Sequence, residues 1–300
     1  MVETISSPLN RNDANSEERL RTPASRPLHI LLAEDNRINQ QFATLVLSKA
    51  GHSVEIAGNG LLAVEAVRRS DFDVVLMDIQ MPELDGMGAT RQIRALPEPK
   101  GSVPIIAVTA HAMAGAREEY LAAGMDDYIS KPFQPALLLY TLAKACDRSS
   151  KPFPITAAER SSEQSGLTQI DELPVLDLEQ LNTFGSVFSL SKIRTLASLY
   201  MIDVEARLAL LTERRAMEDF DGVSRQAHMI VSTAGNVGAK QTSALARVLE
   251  VSCTNQDNAL SDRLIAMLRT SCELSSGALK HWLDTGPPIA AADMRLSVGS

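Results

Sequence analysis

The sequence predicts two folded units of different class, a five-stranded parallel α/β sheet followed by an antiparallel helical bundle. From Leu28 onward, short apolar runs alternate five times with amphipathic stretches, which is typical of a parallel sheet covered by helices on both faces. Beyond Pro174 the strand signals stop and only helical periodicity remains. A chain of 300 residues is long enough for two such domains.

The first predicted unit spans residues 28–148 and consists of five strand and helix pairs. Each strand is a short apolar run, and each helix follows it with apolar residues on one face. In chain order the predicted pairs are 28–33 with 38–50, 54–57 with 61–67, 74–77 with 87–96, 105–108 with 112–122, and 128–129 with 136–145.

The second predicted unit spans residues 175–284 and is an antiparallel helical bundle. Its predicted helices are 177–184, 191–217, 223–237, 242–251 and 259–283, and turn residues such as Asp221-Gly222 and residues 255–258 separate them. Between the two units, residues 149–174 are rich in Ser, Thr, Gln, Glu and Pro and are expected to form a flexible linker. Residues 1–27 are expected to be a disordered arm, and residues 285–300 a flexible tail.

Composition argues against several classes of protein. The formal net charge is −8 and the basic residues are scattered, so direct binding of nucleic acid is not expected. Three distant cysteines without a CxxC spacing indicate neither a disulfide framework nor a zinc site. The N-terminus lacks the apolar core of a signal peptide, and no apolar run approaches the roughly 20 residues that span a bilayer. We therefore expect a cytoplasmic protein that does not insert into membranes.

Polar residues at successive strand ends indicate a phosphoryl and metal site. The carboxyl ends of parallel strands converge at one edge of a sheet, where ligands bind. Three carboxylates held together repel one another unless a cation joins them, and oxygen ligands with room for water suit Mg²⁺. A nearby lysine and hydroxyl could then bind a phosphoryl group on one carboxylate. The residues concerned are Glu34, Asp35, Asp78, Thr109 and Lys131.

The same residues resemble those of the receiver domains of two-component response regulators, which have a flavodoxin-like fold. The resemblance covers about residues 28–148 and includes "AEDN", "MDIQMPELDG", "VTA" and "SKP". It implies that Asp78 is the phosphoacceptor, that Asp35 binds Mg²⁺ directly and that Glu34 binds it through water. It further implies the following roles: the backbone carbonyl of Gln80 as a ligand, Thr109 and Lys131 on the phosphoryl group, Tyr128 as the switch aromatic, and a cis Lys131-Pro132 bond.

Other interpretations of this region explain fewer of these residues. A lone Asp at a strand end is usually a helix cap and a lone Lys is usually solvated, but five such residues at successive strand ends reverse those odds. Residues 58–63 resemble a dinucleotide fingerprint, yet they follow the second strand and leave Glu34, Asp35 and Lys131 unexplained. A phosphatase of the haloacid-dehalogenase type would have a second Asp at the position of Gln80.

A single histidine carries the chemistry expected of the second unit. His228 lies in "RQAHMIVSTAGNVGAKQ" on a predicted helix, and its small neighbours are expected to leave the imidazole standing proud of the surface. An isolated helical His is more often structural. Residues 174–284, however, resemble histidine-phosphotransfer (HPt) domains through "VLDLEQL", "AHxxxxxAGNVGA" and "LARVLE", which implies that His228 is a phosphoacceptor.

The second unit departs from that family at two positions. The family usually has Lys three residues after the His and Gly four residues after it, whereas this chain has Val231 and Ser232. Losing the Lys removes a positive charge that would stabilise the phosphoryl group. Arg225, one helical turn before His228, is the candidate to compensate.

Together these features predict a two-component phosphorelay protein rather than an enzyme with a separate substrate. Phosphoryl groups would pass between Asp78 and His228 or the equivalent residues of partners. The expected partners are a sensor histidine kinase and other receiver or HPt domains, and the expected cofactor is Mg²⁺. The alternative is a phosphorylation-switched adaptor in which the helical unit is a docking module that is not itself phosphorylated.

Overall fold

The first unit is a parallel five-stranded sheet, as predicted. A computed structural model describes residues 26–109, 116–146, 170, 172–254 and 258–286. The strand order is β2-β1-β3-β4-β5, and every pairing is parallel. The strands are β1 (His29–Ala33), β2 (Ser53–Ala57), β3 (Val74–Asp78), β4 (Ile105–Thr109) and β5 (Asp127–Ser130). β3 and β4 are buried along their whole length, as their apolar sequences require.

Among the described residues, five α-helices cover the two faces of this sheet. They are α1 (Arg37–Lys49), α2 (Gly60–Arg69), α3 (Gly86–Arg94), α4 (Ala116–Ala122) and α5 (Pro135–Cys146). Asparagine or aspartate side chains cap the first three helices, and Asn36 accepts the backbone N–H groups of Ile38 and Asn39 at the start of α1. Residues 112–115 of the predicted fourth helix lie outside the described residues. The predicted flavodoxin-like architecture is confirmed.

In the described residues of the second unit, every regular secondary-structure element is a helix. The unit comprises α6 (Leu178–Val187), α7 (Leu190–Ala216), α8 (Phe220–Asn236), α9 (Lys240–Thr254) and α10 (Asn258–Thr285). The prediction that Asp221-Gly222 is a turn is wrong. The Asp219 side chain accepts the backbone N–H of Gly222, so this dipeptide forms the first turn of α8 instead.

The two units are packed against each other. The rings of Phe42 on α1 and Phe184 on α6 have centroids 5.3 Å apart, and one apolar cluster continues from the α1 face of the sheet into the bundle. Ile170, at the end of the predicted linker, is buried in the same cluster. Most of the predicted linker, arm and tail lies outside the described residues. Among the helices of the described ranges, none has the length and apolarity to cross a membrane.

Candidate functional site

Three carboxylates meet at the carboxyl end of the sheet. Glu34 and Asp35 follow β1, and Asp78 ends the neighbouring strand β3. One oxygen from each side chain can be chosen so that all three lie within 4.8 Å of one another. Glu34 and Asp78 are buried, and Asp35 is half-buried. The parallel register of β1 and β3 therefore brings together the carboxylates that the sequence placed at separate strand ends.

Lys131 links two of these carboxylates. Its Nζ atom lies 2.6 Å from Oδ2 of Asp78 and 2.7 Å from Oε2 of Glu34, and all three side chains are almost fully buried. Burial lowers the pKa of Lys131, but the nearby Asp78 and Glu34 carboxylates outweigh that effect and raise it above its ordinary value. The ammonium group therefore stays charged. The Lys131-Pro132 bond is cis, as predicted.

The pocket has the donor set and the charge for a hard divalent cation. Burial, followed by the negative charge of Glu34, raises the pKa of Asp35. Burial also raises the pKa of Asp78, to about 8, against the opposing effect of Lys131. Oδ1 of Asp35 is buried and has no hydrogen-bond partner among the described residues. Three carboxylates with one ammonium leave excess negative charge, so these oxygens fit a Mg²⁺ ion.

The backbone of Gln80 also lies beside the pocket. Its N–H donates to Oδ1 of Asp78 at 3.2 Å. The use of its carbonyl oxygen as a metal ligand stays a prediction. In the turn after β2, whose sequence resembles a dinucleotide fingerprint, glycine is required for packing at Gly60. Gly60 lies so close to the backbone oxygen of Leu84 that a Cβ atom would not fit there.

Thr109 is connected to an aromatic residue that the sequence did not single out. It ends β4, is buried, and its hydroxyl lies 3.0 Å from the phenolic oxygen of Tyr120 on α4. The ring of Tyr120 in turn lies beside that of Tyr128 on β5, and the two centroids are 6.4 Å apart. Tyr120 therefore lies in contact with both Thr109 and the predicted switch residue Tyr128. Sequence spacing gives no signal for this link because residues 110–115 separate Thr109 from α4.

His228 is paired with a buried carboxylate of the next helix. Its Nδ1 atom lies 2.8 Å from Oε1 of Glu250 on α9. The side chains of His228 and Glu250 are only 5% and 7% exposed. The expectation of an imidazole standing proud of the surface is therefore wrong, because α9 packs closely against α8 and brings Glu250 to it. Glu250 ends the "LARVLE" segment, but nothing in the sequence marks it as the partner of His228.

Polar side chains join the carboxylate pocket to the helix that carries His228. Asn39 on α1 donates through Nδ2 to Oε1 of Glu34 at 2.9 Å and to Oγ of Ser232 at 3.1 Å. Its Oδ1 accepts from Nδ2 of Asn236 at 2.9 Å. Oδ1 of Asn236 in turn accepts the backbone N–H of Phe133 at 3.1 Å. The first unit thus contacts α8 one and two turns beyond His228.

The loop between β5 and α5 completes this contact. A Cβ atom on Gly235 would lie 2.6 Å from the ring carbons of Pro132, so only glycine permits the observed approach. Pro132 directly follows Lys131. Gly235, the first glycine of "AGNVGA", therefore lets the loop between β5 and α5 reach α8.

The cations around His228 differ from those expected. Val231, at the position where the family has Lys, is completely buried in the bundle, and Arg225 is exposed. Arg207 on α7 is bound to Oδ2 of Asp203 at 2.6 Å and to Oε1 of Gln226 at 3.1 Å. The charge of Arg207 also reaches the pocket, where it opposes the upward shift in the pKa of Asp35 that burial causes. Arg207 is thus a cation, held next to the helix that carries His228, that sequence reasoning missed.

Family comparisons agree with this geometry. Residues 30–143 match the response regulator receiver domain, and residues 195–284 match the Hpt domain. The chain contains a receiver domain and an Hpt domain. Such domains are the signalling modules of two-component phosphorelays.

Similar proteins include hybrid sensor kinases. The aerobic respiration control sensor protein ArcB of Escherichia coli (strain K12) is 28% identical over 239 residues, which cover 80% of this chain and 29% of that protein. A hybrid signal transduction histidine kinase I from Dictyostelium discoideum is 45% identical over 118 residues, covering 37% of this chain and 7% of that protein. The chain thus spans less than a third of the length of these relatives.

Among solved structures, the receiver domain of a sensor histidine kinase from Pseudomonas aeruginosa PAO1 is 44% identical. It was crystallised with a magnesium ion coordinated in the active site cleft. The match covers 40% of this chain and 98% of that chain, with a TM-score of 0.37.

Proposed function

We propose that the chain is a phosphorelay intermediate in which Asp78 is phosphorylated with Mg²⁺ and exchanges the phosphoryl group with His228 or with equivalent residues of partner domains. The observation that carries the proposal is the buried cluster in which Lys131 bridges Asp78 and Glu34. A lone acidic residue at a strand end would need neither a buried ammonium nor two further carboxylates.

The receiver residues have separate roles in this proposal. A carboxylate oxygen of Asp78 attacks the phosphorus of a phosphohistidine, a P–O bond forms, and the P–N bond to the donor breaks. The Lys131 ammonium neutralises charge on the phosphoryl oxygens, and the Thr109 hydroxyl donates to one of them. Glu34, Asp35, Asp78 and the Gln80 carbonyl would hold Mg²⁺. When bound, the cation would supply further neutralisation of the phosphoryl charge.

His228 carries the second step. Because Nδ1 faces Glu250, Nε2 is the nitrogen that attacks the acyl phosphate. The P–N bond forms, the P–O bond breaks, and its electron pair returns to the departing carboxylate. The Glu250 carboxylate stabilises the positive charge that develops on the ring. Transfer in the reverse direction uses the same groups.

The partners proposed for this chain follow from the domains of its relatives. Hybrid sensor kinases are among the similar proteins, and a sensor histidine kinase is the proposed source of the phosphoryl group. Other receiver and HPt domains are the proposed exchange partners.

Radiolabelled acetyl phosphate with Mg²⁺ tests the proposal on the full chain. Wild type should acquire a hydroxylamine-sensitive acyl phosphate and an acid-labile, base-stable phosphohistidine. The His228→Gln variant should keep only the acyl phosphate, and Asp78→Asn should acquire neither. Hydroxylamine-sensitive label on Asp78→Asn would disprove the role of Asp78.

Two observations favour a second candidate function, that of a phosphorylation-switched adaptor. His228 is buried, and the bundle has an apolar residue, Val231, in place of the family's Lys. In that case Asp78 alone would be labelled, and the label on wild type would contain no phosphohistidine. The same labelling experiment therefore separates the two candidates.

A further inference from the structure

Asn39 uses both ends of its amide at the contact between the domains. Its side chain is completely buried, as are those of Ser232 and Asn236. The amide nitrogen donates both to Glu34 in the pocket and to Ser232 on α8, while the amide oxygen accepts from Asn236. One carboxamide thus connects a candidate metal ligand with the helix that carries His228.

Ser232 is the unusual member of this set. It stands four residues after His228, where the HPt pattern has glycine, and a glycine has no side-chain acceptor for Asn39. In this chain the Ser232 hydroxyl also donates to the backbone oxygen of Met229. Its orientation is therefore fixed by Asn39 on one side and by Met229 on the other. The substitution adds an acceptor at the one place on α8 that the amide nitrogen of Asn39 reaches.

We infer that Asn39 and Ser232 form a recognition pair through which the Hpt domain selects the receiver of its own chain as its exchange partner. This inference rests on the proposed function and deepens it, because it names the preferred partner of His228. The pair favours exchange with the receiver of this chain over exchange with a receiver that lacks a carboxamide at the position of Asn39.

The energetic basis is the burial of unsatisfied polar groups. A receiver without a carboxamide at the position of Asn39 would leave Ser232 and Asn236 buried without their partner, which lowers the affinity roughly tenfold. The tethered receiver has a further advantage, because linkage raises its effective concentration at α8 to the order of millimolar. A second receiver must also displace Pro132 and Phe133 from Gly235 and Asn236.

Rates within and between full-length chains test the pair. Transfer within one molecule is followed in the wild-type chain after labelling of Asp78. Transfer between molecules is followed by mixing a phosphorylated chain that carries His228→Gln and Asn39→Ala, as the donor, with an Asp78→Asn chain, as the acceptor, so that the donor receiver lacks the carboxamide. The measured quantity is the ratio of the first-order intramolecular rate to the second-order intermolecular rate.

We expect Ser232→Gly in the wild-type and acceptor chains to lower this ratio roughly tenfold. Ser224→Gly is the matched control, since it makes the same change four residues before His228 on the same helix. Asn39→Ala in the wild-type and acceptor chains should lower the ratio similarly, whereas Gln41→Ala, at an exposed position of α1, should leave it unchanged. The double variant Asn39→Ala, Ser232→Gly should show a smaller loss than the two single losses combined, because both changes remove the hydrogen bond between Asn39 and Ser232.

A second readout does not depend on phosphotransfer. Hydrogen exchange of the backbone amides at residues 131–138, measured by mass spectrometry, should accelerate in Ser232→Gly and Asn39→Ala but not in the two controls. Suppose that wild type transfers phosphate but that neither variant changes the ratio of transfer rates or the rate of hydrogen exchange. The recognition pair is then disproved, and the proposed function survives. If His228 of the wild-type chain is never labelled, the proposed function fails. The hydrogen-exchange measurement alone then decides whether the pair holds the domains together.

Discussion

The Nδ1 atom of His228 lies 2.8 Å from Oε1 of Glu250, and both side chains are buried. A buried carboxylate in this position fixes the ring orientation and the tautomer of a histidine. It also stabilises the ring when it becomes positively charged. The pair therefore makes Glu250 a positioning residue for the proposed transfer to Nε2.

Glu250→Gln should slow transfer to His228 about tenfold, because it keeps an oxygen acceptor but removes the negative charge. Glu250→Ala should slow it about a hundredfold, because the ring loses its orientation as well. Single-turnover transfer rates measure both effects, and nitrogen NMR of the imidazole reports the tautomer. Glu273→Gln, at an exposed position of α10, is the control. A wild-type tautomer in Glu250→Ala would show that Glu250 does not set it.

Gly235→Ala should weaken the docking of the two domains. The added Cβ atom would meet the ring of Pro132 at 2.6 Å, so the loop after β5 would have to move away from α8. Transfer within the chain should fall at least tenfold, as measured by single-turnover kinetics.

The control for this change is Gly277→Ala on α10, where nothing lies within 4 Å of an added Cβ atom. It should stabilise the helix by about 0.5 to 1 kcal/mol and leave transfer unchanged. Equal transfer rates in Gly235→Ala and Gly277→Ala would mean that the close approach of Pro132 does not matter for transfer.

Much of the receiver site was predictable because its residues lie at strand ends. Parallel register carries Glu34, Asp35 and Asp78 to one edge of the sheet whatever the loop details, so spacing along the chain was sufficient. The prediction succeeded for the cluster and for Lys131 because their positions depend on topology rather than on side-chain packing.

The helical unit was less predictable for a physical reason. A helical period shows which face is apolar, but not which residue of another helix meets that face. Glu250 beside His228 and Tyr120 beside Thr109 depend on how helices pack, and Asn39 beside Ser232 depends on contact between domains. The turn predicted at Asp221-Gly222 failed because Asp219 can cap a helix that begins before the dipeptide.

Magnesium should stabilise the protein more as the pH rises. Asp78 and Asp35 have raised pKa values in the folded state, so the folded protein binds protons more tightly there than the unfolded chain does. Their contribution to stability is therefore greatest below the unfolded pKa of 3.8 and is lost as the pH rises through the folded values, about 8 for Asp78. A divalent cation replaces the lost protons.

Melting temperatures with excess Mg²⁺ and with a chelator, at about pH 6 and about pH 8, measure this effect. The increase caused by Mg²⁺ should be larger at the higher pH in wild type and much reduced in Asp35→Asn. A Mg²⁺ effect that does not change with pH would contradict proton competition at the carboxylates.

The final prediction concerns Val231, where the family has a lysine. Val231 is completely buried in the bundle, and its backbone oxygen accepts the hydroxyl of Ser243 at 2.7 Å. A lysine there would place an unpaired ammonium in an apolar environment. Val231→Lys should therefore destabilise the protein by about 3 kcal/mol or more, rather than restore a missing charge beside His228.

Val251→Lys on α9 is the matched control, because that side chain is 47% exposed and should tolerate the same change within about 0.5 kcal/mol.

Arg225→Ala should leave transfer to His228 within about twofold of wild type, since an exposed charge contributes little. Arg207→Ala should slow transfer about tenfold, because the Arg207 guanidinium is held by Gln226, two residues before His228, and its charge acts on Asp35 in the pocket. Urea unfolding gives the stabilities and single-turnover transfer gives the rates. The opposite outcome would be a stable Val231→Lys variant in which adding Arg207→Ala does not slow transfer. It would show that a lysine at position 231 reaches the phosphoryl group and replaces the charge of Arg207.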